Sequence, residues 1–574
     1  MYLKKSTSKI TGRTHLSIAH GYRNDKGVPT SKTILPLGFV DELKKEYEDP
    51  IAHFTAVAKE MDKERKAGKT ITFTIGADEQ LVRGAANRKN YGHIVFSKIY
   101  HELEIDRFLK NARRHEKFKF NTDAIMRLLV FCRLLSPGSK RDAVINKERF
   151  FESFRFSLDD VYDALTHFDG ISEALQSHLH EKVSELYGRE TDLVYYDVTN
   201  YYFEIDKQDD LRKKGYSKEH RSDPIVQMGL LMDRQGLPIS YRLFAGNTHD
   251  SQTLMPMLTE IKKKYGVQRI ISVADKALNS GDNIAYNMIL GDGYIYSKSV
   301  RGASKDFKEW ALSRSGWHKT SEDYMVKSKV VPDAPIQVTV KQVGAKKTKE
   351  TVLVEQKWVV VYSKKYALRA KYKREEAVAK ALKMIKNPSK YRKNIDFGAA
   401  GYIQNLKIDK ETGEILNVND TLILNEAKIA DEAKYDGFYA IVSSELDTPA
   451  EQLLAAYRGL WRIEDSFKVT KSVLGARPIF LRLMSHINGH FLICFIALLI
   501  ARVVELKLGR IYTIAKITET LAKVECSHID QNHWLFDFAD EVTDDMNAVF
   551  DTDFGKKVMT LGEIKKNLGI VKKS

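Results

Sequence analysis

The sequence predicts a multidomain α/β protein: a mixed sheet with flanking helices, interrupted by a β-rich insertion and framed by helical N- and C-terminal regions. Three observations predict it. Residues 189–298 read strand, strand, strand, helix, strand, helix, strand, as apolar runs of strand or helix period between turn signals. Residues 299–434 abandon that order for long β-patterned runs and a Lys/Arg-rich stretch. DGFYAIVSS, from Asp436, then resumes the strand pattern and leads into a capped helix spanning Thr448 to Gly475.

Taken in order, residues 1–188 begin with strands. THLSIAHGYR and SKTILPLGF are joined by NDKG, a hairpin signal. Helical periods follow, broken by SPGSK around Pro137; FNTDAIMRLLVFCRLL and SLDDVYDALTHF both open with a polar cap. The many Lys and Arg make this region a candidate DNA-end-binding module. It carries no helix-turn-helix signature, and a helical support domain is the alternative.

In the core, LVYYDVT is a β-rich run read as ending at Asp197. DPIVQMGLLMD and LPISYRLFAGN flank the turn DRQG, a helix runs from about Thr253 to Tyr265, and RIISVAD is a strand ending at Asp275. Ser280–Leu290 reads as helix and GYIYSKS as a fifth strand. The insertion, 299–434, is expected to form its own small sheet. PIQVTVKQV and ETVLVEQKWVVVYS flank the basic turn GAKKTK, the helical KKYALRAKYKREEAVAKALKMIK follows, and KETG links YIQNLKID to EILNVNDTLIL.

Residues 435–505 return to the core. Thr448 suits an N-cap, Pro449 the first helical position, Glu451 a capping box and Gly475 the stop. The apolar run FLICFIALLIARVV, from Phe491, is shorter than the ~20 residues of a bilayer span and reads as a buried helix. Residues 506–574, with the acidic FDFADEVTDD, are a candidate dimerisation region.

With 43% hydrophobic and 10% aromatic residues the chain is globular rather than disordered. A net charge of +16 calls for a polyanionic partner, and nucleic acid comes first. A membrane surface fits less well, because no long basic amphipathic segment stands apart. Cys132, Cys494 and Cys526 fit neither a zinc pattern nor a disulfide framework; as buried small hydrophobes they suit a reducing cytoplasm. MYLKKSTSK lacks the apolar core of a signal sequence.

The chemistry converges on three acids. Open α/β sheets place ligands at strand ends, where Asp197 and Asp275 fall on strands expected to be neighbours. Glu464 lies mid-helix in the element that follows the last core strand. Three gathered carboxylates repel one another unless a cation neutralises them, and hard oxygen ligands suit Mg²⁺ or Mn²⁺. Two such ions, about 3.5–4 Å apart, serve phosphodiester chemistry by activating the attacking oxygen and stabilising the departing one. Glu204, Asp206 and Asp250 rank lower, as none ends a tight apolar run. Tyr457, Trp461, Glu464, Lys468 and Lys471 recur at steps of four, three, four and three and share one helical face, which without the aspartates would read as a solvated amphipathic stripe. Trp461 is expected to pack in the core. His486 and His490 are expected to be core or capping residues rather than metal ligands.

DVT at Asp197, VADKALNS at Asp275 and YRGLWRIEDSFKVTK from Tyr457 resemble bacterial insertion-sequence transposases of the DDE type. More narrowly, they resemble the group with a Tyr/Arg/Glu/Lys signature on the helix of the catalytic glutamate. The likeness covers about residues 190–500. It implies an RNase H-like catalytic core that cuts and joins DNA at the ends of its own element with divalent metal, through a synaptic homodimer. By the same resemblance Asp197, Asp275 and Glu464 match the metal-binding triad, and Tyr457 and Lys471 match residues contacting DNA near the scissile phosphate. One position departs: where the signature has Arg, this chain has Leu460, and Arg458 or Arg462 stands in. Lys468 offsets phosphate charge beside Lys471, and Tyr457 and Trp461 are positioned to stack on a base at a frayed end. The basic stretches Lys346–Lys349 and Lys364–Arg374 are further candidates to grip the element end. Two rivals remain: another nuclease on an RNase H-like sheet, and a non-catalytic DNA-binding protein with this fold.

Overall fold

The computed structural model describes the chain except residues 9–11, 24–28, 68–77, 79, 81–84, 115, 216–222, 344–345, 388–396, 405–421, 530–531 and 574. It divides into two compact units, Met1–Ala85 and Ala86–Ser574.

The first unit is an antiparallel sheet of β1 (Tyr2–Thr7), β2 (Thr14–Arg23) and β3 (Pro29–Phe39), followed by α1 (Val40–Leu43) and α2 (Pro50–Ala67). Central β2 buries Leu16, Ile18 and Ala19. Pro50 opens α2, where its missing N–H costs nothing, and Asp49 Oδ1 takes the next two amides at 3.0 Å each. The hairpin read from the sequence is β2–β3; its NDKG turn lies outside the described residues.

The second unit opens with β4 (Arg88–Asn90) and five helices: α3 (His93–Glu102), α4 (Ile105–Ala112), α5 (Thr122–Leu135), α6 (Lys140–Ile145) and α7 (Leu158–Tyr187). The polar caps are Asn121 on α5 and a capping box of Ser157 with Asp160 on α7. The core follows as β5 (Leu193–Tyr202), β6 (Ile225–Asp233), β7 (Pro238–Ala245), α8 (Leu254–Tyr265), β8 (Ile271–Ala274), α9 (Gly281–Ile289) and β9 (Gly293–Lys298). Then come α10 (Lys305–Leu312), β10 (His318–Ser321), β11 (Tyr324–Val343), β12 (Lys346–Ser363), α11 (Lys364–Lys386), α12 (Phe397–Ala400), β13 (Ile403–Gln404), β14 (Ile423–Leu424) and α13 (Glu426–Ala433). β15 (Phe438–Ser443) leads to α14 (Ala450–Arg458), α15 (Trp461–Lys468) and α16 (Met484–Lys507). The chain ends with α17 (Ile514–Lys523), β16 (Glu525–His528), β17 (His533–Phe536), α18 (Glu541–Phe550), β18 (Val558–Thr560) and α19 (Leu561–Val571).

The principal sheet has nine strands in the order β10-β11-β12-β15-β9-β8-β5-β6-β7. β8 runs parallel to both β5 and β9, while β6 is antiparallel to β5 and β7 to β6. The first and fourth core strands are thus neighbours, as the sequence led us to expect. Alternation along β5 divides two cores: Tyr195 and Tyr201 pack with α14–α16 and the N-terminal helices, and Val194, Tyr196 and Val198 pack with α8–α10. Helices therefore cover both faces.

Three expectations are corrected. The insertion does not build a separate sheet: β10–β12 extend the principal one, because β12 pairs with β15 from Lys357–Ser443 to Tyr362–Phe438. Only β13 and β14 make a small sheet of their own; the KETG link lies outside the described residues. The first core strand does not end at Asp197, since pairing with β6 carries it on to Tyr202. The helix over 448–475 is not continuous: Pro449 is its N-cap without a side-chain cap, and tight turns from Leu460 to Tyr457 and Ile463 to Leu460 separate α14 from α15. Gly475, at φ +54°, does end the run, after a π-turn over Val469–Val473. The run from Phe491 is a buried helix as read, though the helix is longer than that run: α16 is long and apolar enough by composition to cross a membrane, and 94% of its apolar window is buried inside the protein, against α3, α5, α7, β7 and α17. The C-terminal strands join the N-terminal part of this unit, with β16 pairing β4.

Candidate active site

β5 and β8 keep parallel register only from Leu193–Ile271 to Tyr195–Val273. Two residues further along each strand stand Asp197 and Asp275, so the two acids lie level with each other where β8 ends and β5 continues alone beside β6. Tyr195 and Val273 belong to the same core, and strand alternation turns Asp197 and Asp275 to that same face. Both carboxylates are partly exposed. Asp197 Oδ1 accepts the Val198 amide at 2.7 Å, and Asp275 Oδ1 accepts the Ala277 amide at 2.7 Å, an Asx turn that fixes the loop leaving β8.

The helical segment after β15 crosses this face. α14 lies over β8, β9 and β15, and α15 over β5 and β6, buried through Leu453, Leu454, Leu460, Ile463 and Phe467. Its other stripe stays accessible. Glu464 is exposed, and no described residue hydrogen-bonds or ion-pairs with its carboxylate. Tyr457 feels two of the acids: burial raises its phenol pKa, a hydrogen bond with Ser297 opposes the rise, and the charges of Asp275 and Glu464 add to it. Arg502 of α16 anchors the neighbouring residues, donating to Asp465 Oδ2 at 2.8 Å and Ser466 Oγ at 2.7 Å. Among the described residues, no group of three or more Asp, Glu, His or Cys side chains is gathered closely enough to hold a metal ion. Oxygen-only donors at Asp197 and Asp275 suit a hard divalent cation. Glu464, facing solvent, does not close the set.

A cleft of about 930 Å³ opens beside Glu464. Tyr457, Arg458, Trp461 and Glu464 form one wall; Lys276, Lys298 and Arg301, with Tyr324, Tyr366, Lys373, Arg374, Tyr402 and Tyr439 from the insertion and β15, form the others. Cations and tyrosines dominate, the composition of a groove that follows a phosphate backbone and stacks bases. Of the two stand-in arginines, Arg458 faces this cleft: it hydrogen-bonds the Tyr324 hydroxyl and lies 5.1 Å from that ring's centroid. Arg462 turns away, meeting Tyr195 and the β6–β7 turn at Gly236. Trp461, expected in the core, is 56% exposed, because the helix buries its opposite side. Lys468 is exposed, and Lys471 Nζ lies 5.4 Å from the Tyr201 ring centroid, outside the cleft. His490 is buried against Lys140 Nζ, 3.0 Å away, and His486 stacks on Tyr162; among the described residues neither joins a group of three metal-ligating side chains. Glu204, Asp206 and Asp250 do not line the cleft. Of the basic stretches, Lys364–Arg374 opens α11 and borders the cleft, while Lys346 and Lys347 carry side chains outside the described set. The sequence reading missed Tyr324, Tyr366 and Tyr439; the first two carry one signal, aromatic residues near lysines in the insertion, while Tyr439 looks like an ordinary residue of a core strand.

Residues 3–71 match the family model of the IS1634 family transposase, N-terminal domain. No curated protein matches the chain. Among solved structures, a piggyBac transposase synaptic complex with hairpin DNA aligns over 84% of this chain and 84% of its own, at 10% identity and TM-score 0.33. A Mos1 transposase paired-end complex with left transposon end aligns over 42% and 66%, at 10% identity and TM-score 0.14. A Mos1 mariner paired end complex with Mn aligns over 43% and 66%, at 13% identity and TM-score 0.10. Overlaps of this size do not establish a shared fold; residues 3–71 are similar to the N-terminal domain of IS1634 family transposases.

Proposed function

We propose that the chain is a DNA transposase of the DDE type, cutting DNA at the terminal repeats of an insertion sequence and joining the freed ends to target DNA. One observation carries the reading: the parallel ladder of β5 with β8 stops so that Asp197 and Asp275 stand level, on the face crossed by the helix of Glu464. The N-terminal family match supports it independently, as does the order β9-β8-β5-β6-β7, which we read as an RNase H-like core.

Asp197 and Asp275 would hold Mg²⁺ or Mn²⁺, with Glu464 joining from α15 when DNA is bound. Such ions supply charge neutralisation and an activated oxygen for phosphoryl transfer. The chain's own groups do the rest. Arg458 and the cleft lysines neutralise phosphate, and their contribution falls as salt rises. Tyr457 and Trp461 present ring faces to an end base. Lys468 and Lys471 continue the cationic track beyond Glu464. A synaptic homodimer is part of this reading, because two element ends must be held together.

The test is Mg²⁺-dependent cleavage of duplexes bearing the inverted repeats that flank the coding sequence, with Asp197→Asn and Glu464→Gln as controls. Cutting by wild type and none by either variant is expected. Equal cutting by all three would remove the active-site assignment, and binding without cutting by any would favour the non-catalytic rival.

A further inference from the structure

Among the described residues three arginines line the cleft beside Glu464, and their partners set them apart. Arg301 Nη1 lies 2.6 Å from Glu432 Oε1, and Arg374 Nη1 lies 2.5 Å from Asp436 Oδ1. Glu432 also accepts the Tyr402 hydroxyl at 2.6 Å. Glu432 and Asp436 are, with Glu464, the acids of the described lining, so two of its three arginines are neutralised within the cleft.

Arg458 is held differently. Its partners are two phenols: Nη2 donates to the Tyr324 hydroxyl, the Tyr439 hydroxyl accepts from the same guanidinium, and the two hydroxyls are 2.9 Å apart. Asp323, beside Tyr324 in sequence, is paired instead with Lys364 at 3.3 Å. Among the described residues no carboxylate forms an ion pair with Arg458. Burial pushes the Tyr439 phenol up, which keeps it neutral around pH 7. A neutral phenol fixes a guanidinium without cancelling its charge, whereas a carboxylate does both.

The contacts tie this arginine to both halves of the site. Tyr324 opens β11 of the insertion and Tyr439 lies on β15; β12 runs between them, pairing Val361 with both Val326 and Tyr439, and the two rings converge across it on the face that carries the acids. Arg458 ends α14, next to Tyr457, whose phenol feels the charges of Asp275 and Glu464.

We propose that Tyr324 and Tyr439 are positioning residues: their hydroxyls hold the Arg458 guanidinium in the cleft with its charge uncancelled, set to meet a backbone phosphate of bound DNA. The insertion thereby fixes a phosphate site beside the helix of Glu464. That the phosphate is DNA's rests on the transposase reading. The test measures binding of full-length Tyr324→Phe and Tyr439→Phe to the terminal-repeat duplex at several salt concentrations, alone and combined with Arg458→Ala. Phenylalanine keeps the ring and removes only the hydroxyl, and thermal unfolding checks that the fold is intact. Each single variant should weaken binding about fivefold, the scale of one hydrogen bond to a charged group. Each should also flatten the slope of log affinity against log salt toward that of Arg458→Ala. In the Arg458→Ala background neither change should add to the loss. In cleavage, KM should rise about as much as Kd, while kcat stays within about twofold of wild type. Wild-type affinity and slope in both phenylalanine variants overturn the pair. So do losses that add in full to that of Arg458→Ala, which would place the tyrosines on DNA directly. Either result, with terminal-repeat cleavage by wild type, sinks the pair alone; no binding and no cleavage by wild type sinks the transposase reading and the pair with it.

Discussion

Asp197 and Asp275 stand level on neighbouring parallel strands, two residues past the last paired rung, Tyr195–Val273. The relationship arises from unequal strand lengths: β8 stops at Ala274, while β5 runs on to Tyr202 under the protection of β6. An acid at each position thus borders a gap in the sheet rather than a ladder, where a ligand can reach both.

Replacing either acid by its amide keeps shape and removes charge. Asp197→Asn and Asp275→Asn should each lower cleavage by about a thousandfold, the scale of losing several kcal/mol of charge stabilisation. Gel-shift affinity for the terminal repeat should stay within a few-fold of wild type. A loss of binding parallel to the loss of cutting would assign the acids to structure.

The two arginines near Leu460 should separate cleanly. Arg458→Ala should weaken DNA binding and reduce the slope of log affinity against log salt by about one, because one phosphate contact is gone. Arg462→Ala should leave that slope unchanged and lower stability instead, since its side chain packs on Tyr195 and Gly236. Titrations at several salt concentrations, with urea unfolding in parallel, check both.

Lys140 is buried in α6 beside Arg133, His490, Cys132 and Cys494, and burial pushes its pKa down to about 7. The unfolded chain keeps that proton up to about 10.5, so between pH 7 and 10 the unfolded state binds more protons than the native one and stability rises with pH. Below about pH 7 the full cost of the buried charge is present. The difference in unfolding free energy between wild type and Lys140→Met should therefore change by about 1 kcal/mol per pH unit between pH 7.5 and 9. A pH-independent difference would refute the buried-cation account.

Gly459 sits where the helical segment tightens over β5, and a Cβ there would overlap the Tyr195 hydroxyl. Gly459→Ala should cost about 1–3 kcal/mol of stability by overpacking, and adding Tyr195→Leu should return part of it. Additive losses in the double variant, measured by denaturant unfolding, would show that the two positions are not in contact.

Much of this was legible in the sequence because it is local. The order of core elements, the caps at Asn121, Ser157 and Ser280, and the buried character of α16 follow from periodicity and capping chemistry over a few turns. What was misread depends on distant partners. VTNYY looks like the exit from a strand until β6 pairs with it to Tyr202. β12 reads as part of an independent hairpin until β15, some eighty residues later, takes its edge. Trp461 was placed in the core because a helical period shows which residues share a face, not which face is covered. Tyr324, Tyr366 and Tyr439 of the cleft come from β11, α11 and β15, and no spacing rule in one dimension unites them.

The buried α16 has one further consequence. It supports α3, α5, α7, β7 and α17 together, and through Arg502 it holds the residues beside Glu464. The sheet that bears the acids therefore cannot be excised on its own: a fragment ending before Met484 would lose its keel, and one keeping α16 without the N-terminal helices would bare a greasy rod and precipitate. Dissection of this protein has its natural seam near Ala85, not at the edges of the nine-stranded sheet.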